Sequence, residues 1–184
     1  MIIVHNISTI PHLPGPIALT IGTFDGVHLG HQYIFKAMKK HGTRVVFTFS
    51  NHPSEILCHH KPHPLCSLEE KLTYFEKIGI DCTIMIPFTE TFAHQPYDLF
   101  LKNLKKHLPF STLVLGKGAA FGYKNRGDET HVKSLESQLS FQAIYLEKQS
   151  FNGEAISSKR IRELSRLGEY QQASTLLEHN KDKV

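Results

Sequence analysis

Two hydrophobic rhythms alternate along the chain. Short runs at Ile17 to Gly22, Thr43 to Ser50, Ile80 to Ile86, Ser111 to Gly116 and Phe141 to Glu147 are rich in β-branched or aromatic residues and have the length of buried strands. Between them, apolar residues recur at helical spacing. Ile34, Phe35 and Met38 do so within Gln32 to Lys40, and Leu68, Leu72, Phe75 and Ile78 between Ser67 and Gly79. A third segment, from Pro96 to about His107, has Leu99, Phe100, Leu101, Leu104 and Leu108 as expected core. The punctuation agrees with these boundaries: Ser67-Leu68-Glu69-Glu70 has the form of a capping box, Gly79 a helix stop, and Pro96 a first helical residue.

Asp128 is placed to cap a helix reaching about Leu139. Glu163 to His179 reads as a helical pair broken at Gly168, with Leu164, Leu167, Tyr170, Ala173, Leu176 and Leu177 facing the core. Residues 1 to 16, with Pro11, Pro14, Gly15 and Pro16, read as an extended lead-in, and residues 55 to 65 as a polar loop. Five strands alternating with helices predict an α/β fold: a doubly wound five-stranded parallel sheet with C-terminal helices, its ligands at the carboxyl ends of the strands. At 184 residues the chain is expected to form one domain, 1–184.

Composition narrows the class. Hydrophobic residues make up 40% and charged residues 21%, which excludes a disordered or fibrous chain. A net charge of +4 favours anionic ligands, but no dense Lys/Arg stripe with interleaved aromatics marks a nucleic-acid surface, so no nucleic-acid partner is expected. The three cysteines Cys58, Cys66 and Cys82 are odd in number and form no Cys-x-x-Cys pair, which predicts a reducing, cytoplasmic setting. No signal-peptide pattern and no bilayer-length apolar stretch is seen, so no membrane partner is expected. Cys58, His59, His60, His63 and Cys66 carry zinc-ligating atoms, but their spacing follows no zinc pattern and metal binding is the weaker reading. Metal ligands stay unassigned.

The chemistry concentrates between Ala18 and His31. An apolar strand passes through Gly22-Thr23-Phe24-Asp25-Gly26 into a helix start that carries His28, Gly30 and His31. A helix start offers free N–H groups and the positive end of the dipole to an anion, and the two imidazoles add side-chain donors beside them. Glycines at 22, 26 and 30 permit close backbone approach to a ligand. A second anion site is read at Ala155 to Arg162. Ser157 or Ser158 caps the helix there, and the basic Lys159, Arg160 and Arg162 in its first turns oppose the dipole unless an anion binds between them. Asn51-His52-Pro53 lies at the carboxyl end of the second strand, either as a plain turn or facing a ligand. In the loop Gly116 to Asp128, the glycines punctuate turns while Lys117, Lys124 and Arg126 offer a basic rim.

The string from Gly22 to Gln32 resembles the His-x-Gly-His motif of the nucleotidylyltransferase superfamily, in the longer form found in prokaryotic FAD synthetases. Ala155 to Arg162 is similar to the Ile-Ser-Ser-Thr-x-Ile-Arg motif of the same superfamily: Ser157, Ser158 and Arg162 match, and Lys159 stands where threonine is usual. Gly118-Ala119 stands where FAD synthetases typically have an acidic residue or asparagine followed by an aromatic.

The resemblance implies a Rossmann-like FMN adenylyltransferase module, using ATP with Mg²⁺ and taking FMN as substrate. His28, His31 and Arg162 are then the expected catalytic residues, and Gly22, Thr23, Phe24, Asp25, Gly26, Gly30, Ser157, Ser158 and Lys159 bind the nucleotide. Asn51, His52, Pro53 and Phe121 are the expected flavin contacts. In the bifunctional FAD synthetases a riboflavin kinase module follows at about the point where this sequence stops, so a separate riboflavin kinase supplying FMN is expected. Nucleotidyl transfer to another phosphorylated acceptor, or a catalytically idle FMN- or nucleotide-binding module, is the alternative.

Overall fold

The computed structural model describes residues 1–59 and 62–177. His60 of the His-rich loop, and Glu178 and His179 at the end of the expected helical pair, lie outside the described residues. The first half of the chain runs β1 (Ile2–Val4), β2 (Ile17–Ile21), α1 (Leu29–Met38), β3 (Thr43–Phe49), α2 (Pro53–Leu57), α3 (Leu68–Ile78) and β4 (Cys82–Ile86). It continues through α4 (Glu90–Ala93), α5 (Tyr97–His107), β5 (Thr112–Gly116), α6 (Glu129–Lys133), α7 (Glu136–Leu139) and β6 (Gln142–Leu146). A small hairpin of β7 (Ser150–Phe151) and β8 (Glu154–Ala155) then leads into α8 (Ser158–Arg166) and α9 (Tyr170–Leu177).

Strands β1 to β6 form one parallel sheet in the order β1-β4-β3-β2-β5-β6. From β2 the chain winds outward through β3 and β4, then crosses to β5 and β6 on the other side. The winding direction therefore reverses between β2 and β5, which opens a crevice at their carboxyl ends. Successive side chains of a strand point to opposite faces, so each strand feeds two cores. Leu19, Val45, Phe47, Ile84 and Leu113 pack with Phe100, Leu101 and Leu104 of α5. Ala18, Val46 and Val114 pack on the other face with Phe35 and Met38 of α1 and Phe75 of α3. A third cluster, Ile156, Ile161, Leu164, Ala173 and Leu176, joins α8 to α9 and seats both against Leu29 and Leu65. It places the start of α8 beside the start of α1.

The sheet has six strands, where five were expected. The extra one is β1, inside the expected lead-in, paired in register Ile2 to Cys82 through Val4 to Ile84. Three residues at the sheet edge, of which Val4 alone is buried, leave no periodic signal in sequence. The expected loop 55–65 begins with helix α2, whose cap is a histidine: His52 Nδ1 accepts from the Ser54 N–H while the Glu55 carboxylate accepts from the His52 N–H.

Four expected core residues are exposed instead. Leu68 occupies the first position of α3, Leu99 lies roughly 200° round α5 from Leu101, and Leu167 and Tyr170 flank the α8–α9 turn. The helix expected from Asp128 to Leu139 divides into α6 and α7. Among the described residues no helix is long and apolar enough to cross a membrane.

Candidate active site

The crevice at the reversal point holds a cavity of about 340 Å³. Its walls are the end of β2 (Thr20 to Phe24), the start of α1 (His28, Gly30, His31), the loops after β5 and β6, and the start of α8 (Ser157, Ser158). Two helix N-termini thus open into one space, and both present amides to it.

The turn between β2 and α1 is locally strained and held by packing. Phe24 and Val27 adopt positive φ angles of 50° and 41°, a region that costs non-glycine residues energy. Phe24 is fixed there by ring contacts to His31, Phe35 and Phe75 at 5.2, 5.1 and 6.0 Å. His28 is the N-cap of α1, its carbonyl accepting from the His31 and Gln32 amides. The imidazoles of His28 and His31 stack at 3.5 Å, with 19° between their planes, so they act as one paired donor surface on the cavity wall.

Gly30 makes room for this pair. A Cβ there would lie 3.2 Å from His28 Cε1 and Nδ1. Gly30→Ala is therefore expected to displace the His28 ring by a few tenths of an ångström. Turnover should fall about tenfold, because small misplacements of reacting groups are costly. Stability should be preserved, since alanine is the better helix former by about 1 kcal/mol. Steady-state kinetics beside thermal unfolding checks this, and an unchanged kcat would contradict the role given to the ring. Gly26 serves packing rather than the cavity: at φ 76°, a Cβ would strike Leu65 at 2.8 Å and Leu177 at 2.9 Å.

At the second helix start, Ser157 Oγ caps α8 by accepting from the Arg160 N–H, and Ser158 Oγ donates to the Asp25 carbonyl at 2.9 Å. The two anion motifs are therefore tied together directly. Arg162 lies on the same helix but does not line this cavity. Its guanidinium pairs with the Asp25 carboxylate, and its Nε donates to the His63 carbonyl at 3.0 Å. Asp25 also accepts from the Leu65 N–H at 3.1 Å, so this pair straps residues 63–65 to the motif. Lys159 is exposed and lines none of the three cavities described here.

A second cavity, of about 420 Å³, lies beside the first and shares Ile21, Gly22, Thr23 and Ala119 with it. Phe49, Phe88, Phe92, Phe100 and Phe121 line it, four of them joined in one ring cluster with centroids 5.1 to 5.5 Å apart. Of the expected flavin contacts, Pro53 and Phe121 are in this wall. Asn51 and His52 instead line a third cavity of about 290 Å³ on the far side of Thr23, together with Asp25, Glu55, Cys66 and Lys71. Both ends of the Asn51 amide are occupied by the Phe88 backbone, and burial, reinforced by the Arg162 charge, lowers the His52 pKa. Phe49, Phe88 and Phe92 line the same cavity without having been singled out in the sequence. Phe88, in an otherwise polar exit loop, was the available signal.

A model of the FAD synthetase family matches residues 10–160. The chain belongs to the FAD synthetase family. It is 34% identical over 169 residues to the bifunctional riboflavin kinase/FMN adenylyltransferase of Haemophilus influenzae, covering 87% of this chain and 54% of that protein. The protein of the same name from Listeria monocytogenes is 31% identical, with 86% and 52% covered, and that from Escherichia coli K12 30%, with 96% and 58% covered. The chain thus spans about half the length of the curated relatives it matches.

Solved structures place this FAD synthetase family member in the same fold as a macrolide-efflux protein from Streptococcus pneumoniae, with a TM-score of 0.80, 23% identity, and 96% of this chain and 60% of the other covered. A pantoate-beta-alanine ligase from Francisella tularensis matches with a TM-score of 0.60 and 15% identity, covering 88% and 73%. These likenesses speak to the Rossmann-like architecture alone.

Proposed function

We propose that this chain is an FMN adenylyltransferase, which transfers AMP from ATP to FMN to give FAD and pyrophosphate, with residues 1–184 acting as one catalytic unit. One observation carries the reading: a cavity walled by two histidines and two helix starts shares Gly22 and Thr23 with a phenylalanine-lined cavity of about 420 Å³. ATP occupies the first and the isoalloxazine ring the second, so the FMN phosphate meets the α-phosphorus near Gly22 and Thr23. An oxygen of that phosphate attacks the α-phosphorus, and the bond to the bridging oxygen of the β-phosphate breaks.

Negative charge grows on the phosphoryl oxygens during transfer, and fixed donors stabilise it without reorganising. His28 and His31 supply two of those donors, and the first amides of α1 supply others. Ser157, Ser158 and the start of α8 hold the leaving pyrophosphate. Arg162 joins them by exchanging the Asp25 carboxylate for phosphate, a role suited to its bidentate and permanently charged fork.

Mg²⁺ enters as the counter-ion of ATP. Among the described residues no cluster of three His, Cys, Asp or Glu side chains could hold a metal. Phosphate oxygens and water would supply most of its coordination, as is usual for this cation. We place the reaction in the cytoplasm, with FMN made by a riboflavin kinase activity.

The test is incubation with Mg²⁺-ATP and either FMN or riboflavin, with flavins separated chromatographically. FAD should form from FMN, and the riboflavin arm reports whether a kinase activity accompanies it. No FAD, with FMN and ATP still bound, would overturn the reading in favour of another acceptor or an idle binding module.

A further inference from the structure

Lys71 is the one lysine among the described residues in the buried class, at 8% exposure, and no ion pair with a carboxylate engages it. Its ammonium donates to the Phe49 carbonyl at 3.0 Å, the Thr23 carbonyl at 3.3 Å and Thr48 Oγ1 at 3.4 Å. Thr48 Oγ1 donates in turn to the same Thr23 carbonyl at 3.2 Å. All three ammonium protons are therefore spent on one joint, between the ends of β2 and β3. Burying a cation without a carboxylate partner is costly, and burial lowers the Lys71 pKa accordingly.

The residues it holds explain why such a costly group is retained. Thr23 lines all three cavities, and Phe49 lines the aromatic cavity and the third. Anchoring the Thr23 carbonyl to that of Phe49 fixes one residue of the wall that the first two cavities share.

We propose that Lys71 is a positioning residue for adenylyl transfer: it clamps Thr23 to Phe49 so that the flavin phosphate and the α-phosphorus meet in line. It touches neither substrate. This inference rests on the adenylyltransferase reading above, and it assigns to the third cavity the role of a channel reaching the clamp from solvent.

Lys71→Met keeps length and removes the donors. The expected result is a fall of about 10- to 100-fold in kcat, with KM for ATP and FMN changed by less than about threefold. Amide exchange at Gly22 and Ser50, which flank the two clamped residues and donate to the Phe47 and Ile86 carbonyls, should quicken about tenfold, while β5 and β6 amides keep their rates. In Lys71→Ala, propylammonium added through the third cavity should restore turnover several-fold, and 1-propanol should not.

Wild-type kcat in Lys71→Met, or equal rescue by both additives, would reduce Lys71 to a packing residue and overturn the proposal. If the wild-type chain makes no FAD, the adenylyltransferase reading fails separately, and the exchange measurement still decides whether the clamp exists: unchanged rates at Gly22 and Ser50 refute it. Should both lysine variants fail to fold, Thr48→Val removes one member of the same joint. A kcat reduced about three- to fivefold is then expected, and an unchanged kcat overturns the proposal.

Discussion

On the proposed adenylyltransferase reading, His28→Ala is expected to lower the rate of FAD formation by about 10²–10³, the range found when a preorganised transition-state donor is removed. The imidazole is 5% exposed and is set by the cap of α1, by the stack on His31 and by the glycine at 30, so it needs no reorganisation as charge develops. The loss belongs in kcat. On the proposed reading FMN sits mainly in the aromatic cavity, which His28 does not line, so KM for FMN should move by less than about threefold. A variant that turns over normally, or one whose loss lies wholly in KM, contradicts the assignment.

Arg162→Ala is expected to have two separable effects. The first is on stability. Asp25 keeps only 10% of its side-chain surface exposed and Arg162 26%, so removing the guanidinium leaves a buried carboxylate supported by the Leu65 amide. Breaking a fully buried pair costs 3–5 kcal/mol, and the partial exposure of Arg162 puts the loss at about 2–3 kcal/mol. The second effect is on ATP. Loss of a charge-assisted bidentate contact should raise KM for ATP at least about tenfold.

Asp25→Ala separates the two. It should destabilise the chain in chemical denaturation, with the double variant costing less than the sum of the singles, yet leave the arginine to bind phosphate. Equal rises in KM for ATP in both single variants would show instead that the pair acts on the nucleotide only through local folding.

Much of the architecture is written locally. Each of the five expected strands is an apolar run bounded by turn residues, and Ser67, Gly79, Asp128 and Ser157 cap or stop helices at the residues where sequence places them. Strand β1 escaped because three residues carry no period, and the cap of α2 because histidine is not among the usual capping residues. The anion motifs were legible for the same reason as the helices: each is a short string whose residues act where they stand.

What the sequence hid depends on contacts between distant segments. Arg162 and Asp25 lie 137 positions apart, and no local pattern couples them. The phenylalanines of the aromatic cavity come from a strand end, an exit loop, two helices and the loop after β5, so no local pattern groups them. Lys71 looks like an ordinary polar position on an amphipathic helix. Its spacing of four from Phe75 and seven from Ile78 puts it on the apolar side, and that mismatch was the signal for a buried lysine.

Transfer from ATP labelled at the α-phosphate tests the central claim most directly, because it reports both the bond that breaks and the group that moves. With unlabelled FMN and Mg²⁺, the account predicts label in FAD, with unlabelled pyrophosphate released in equal amount. Label appearing in ADP, or remaining in ATP while both substrates are bound, would contradict it.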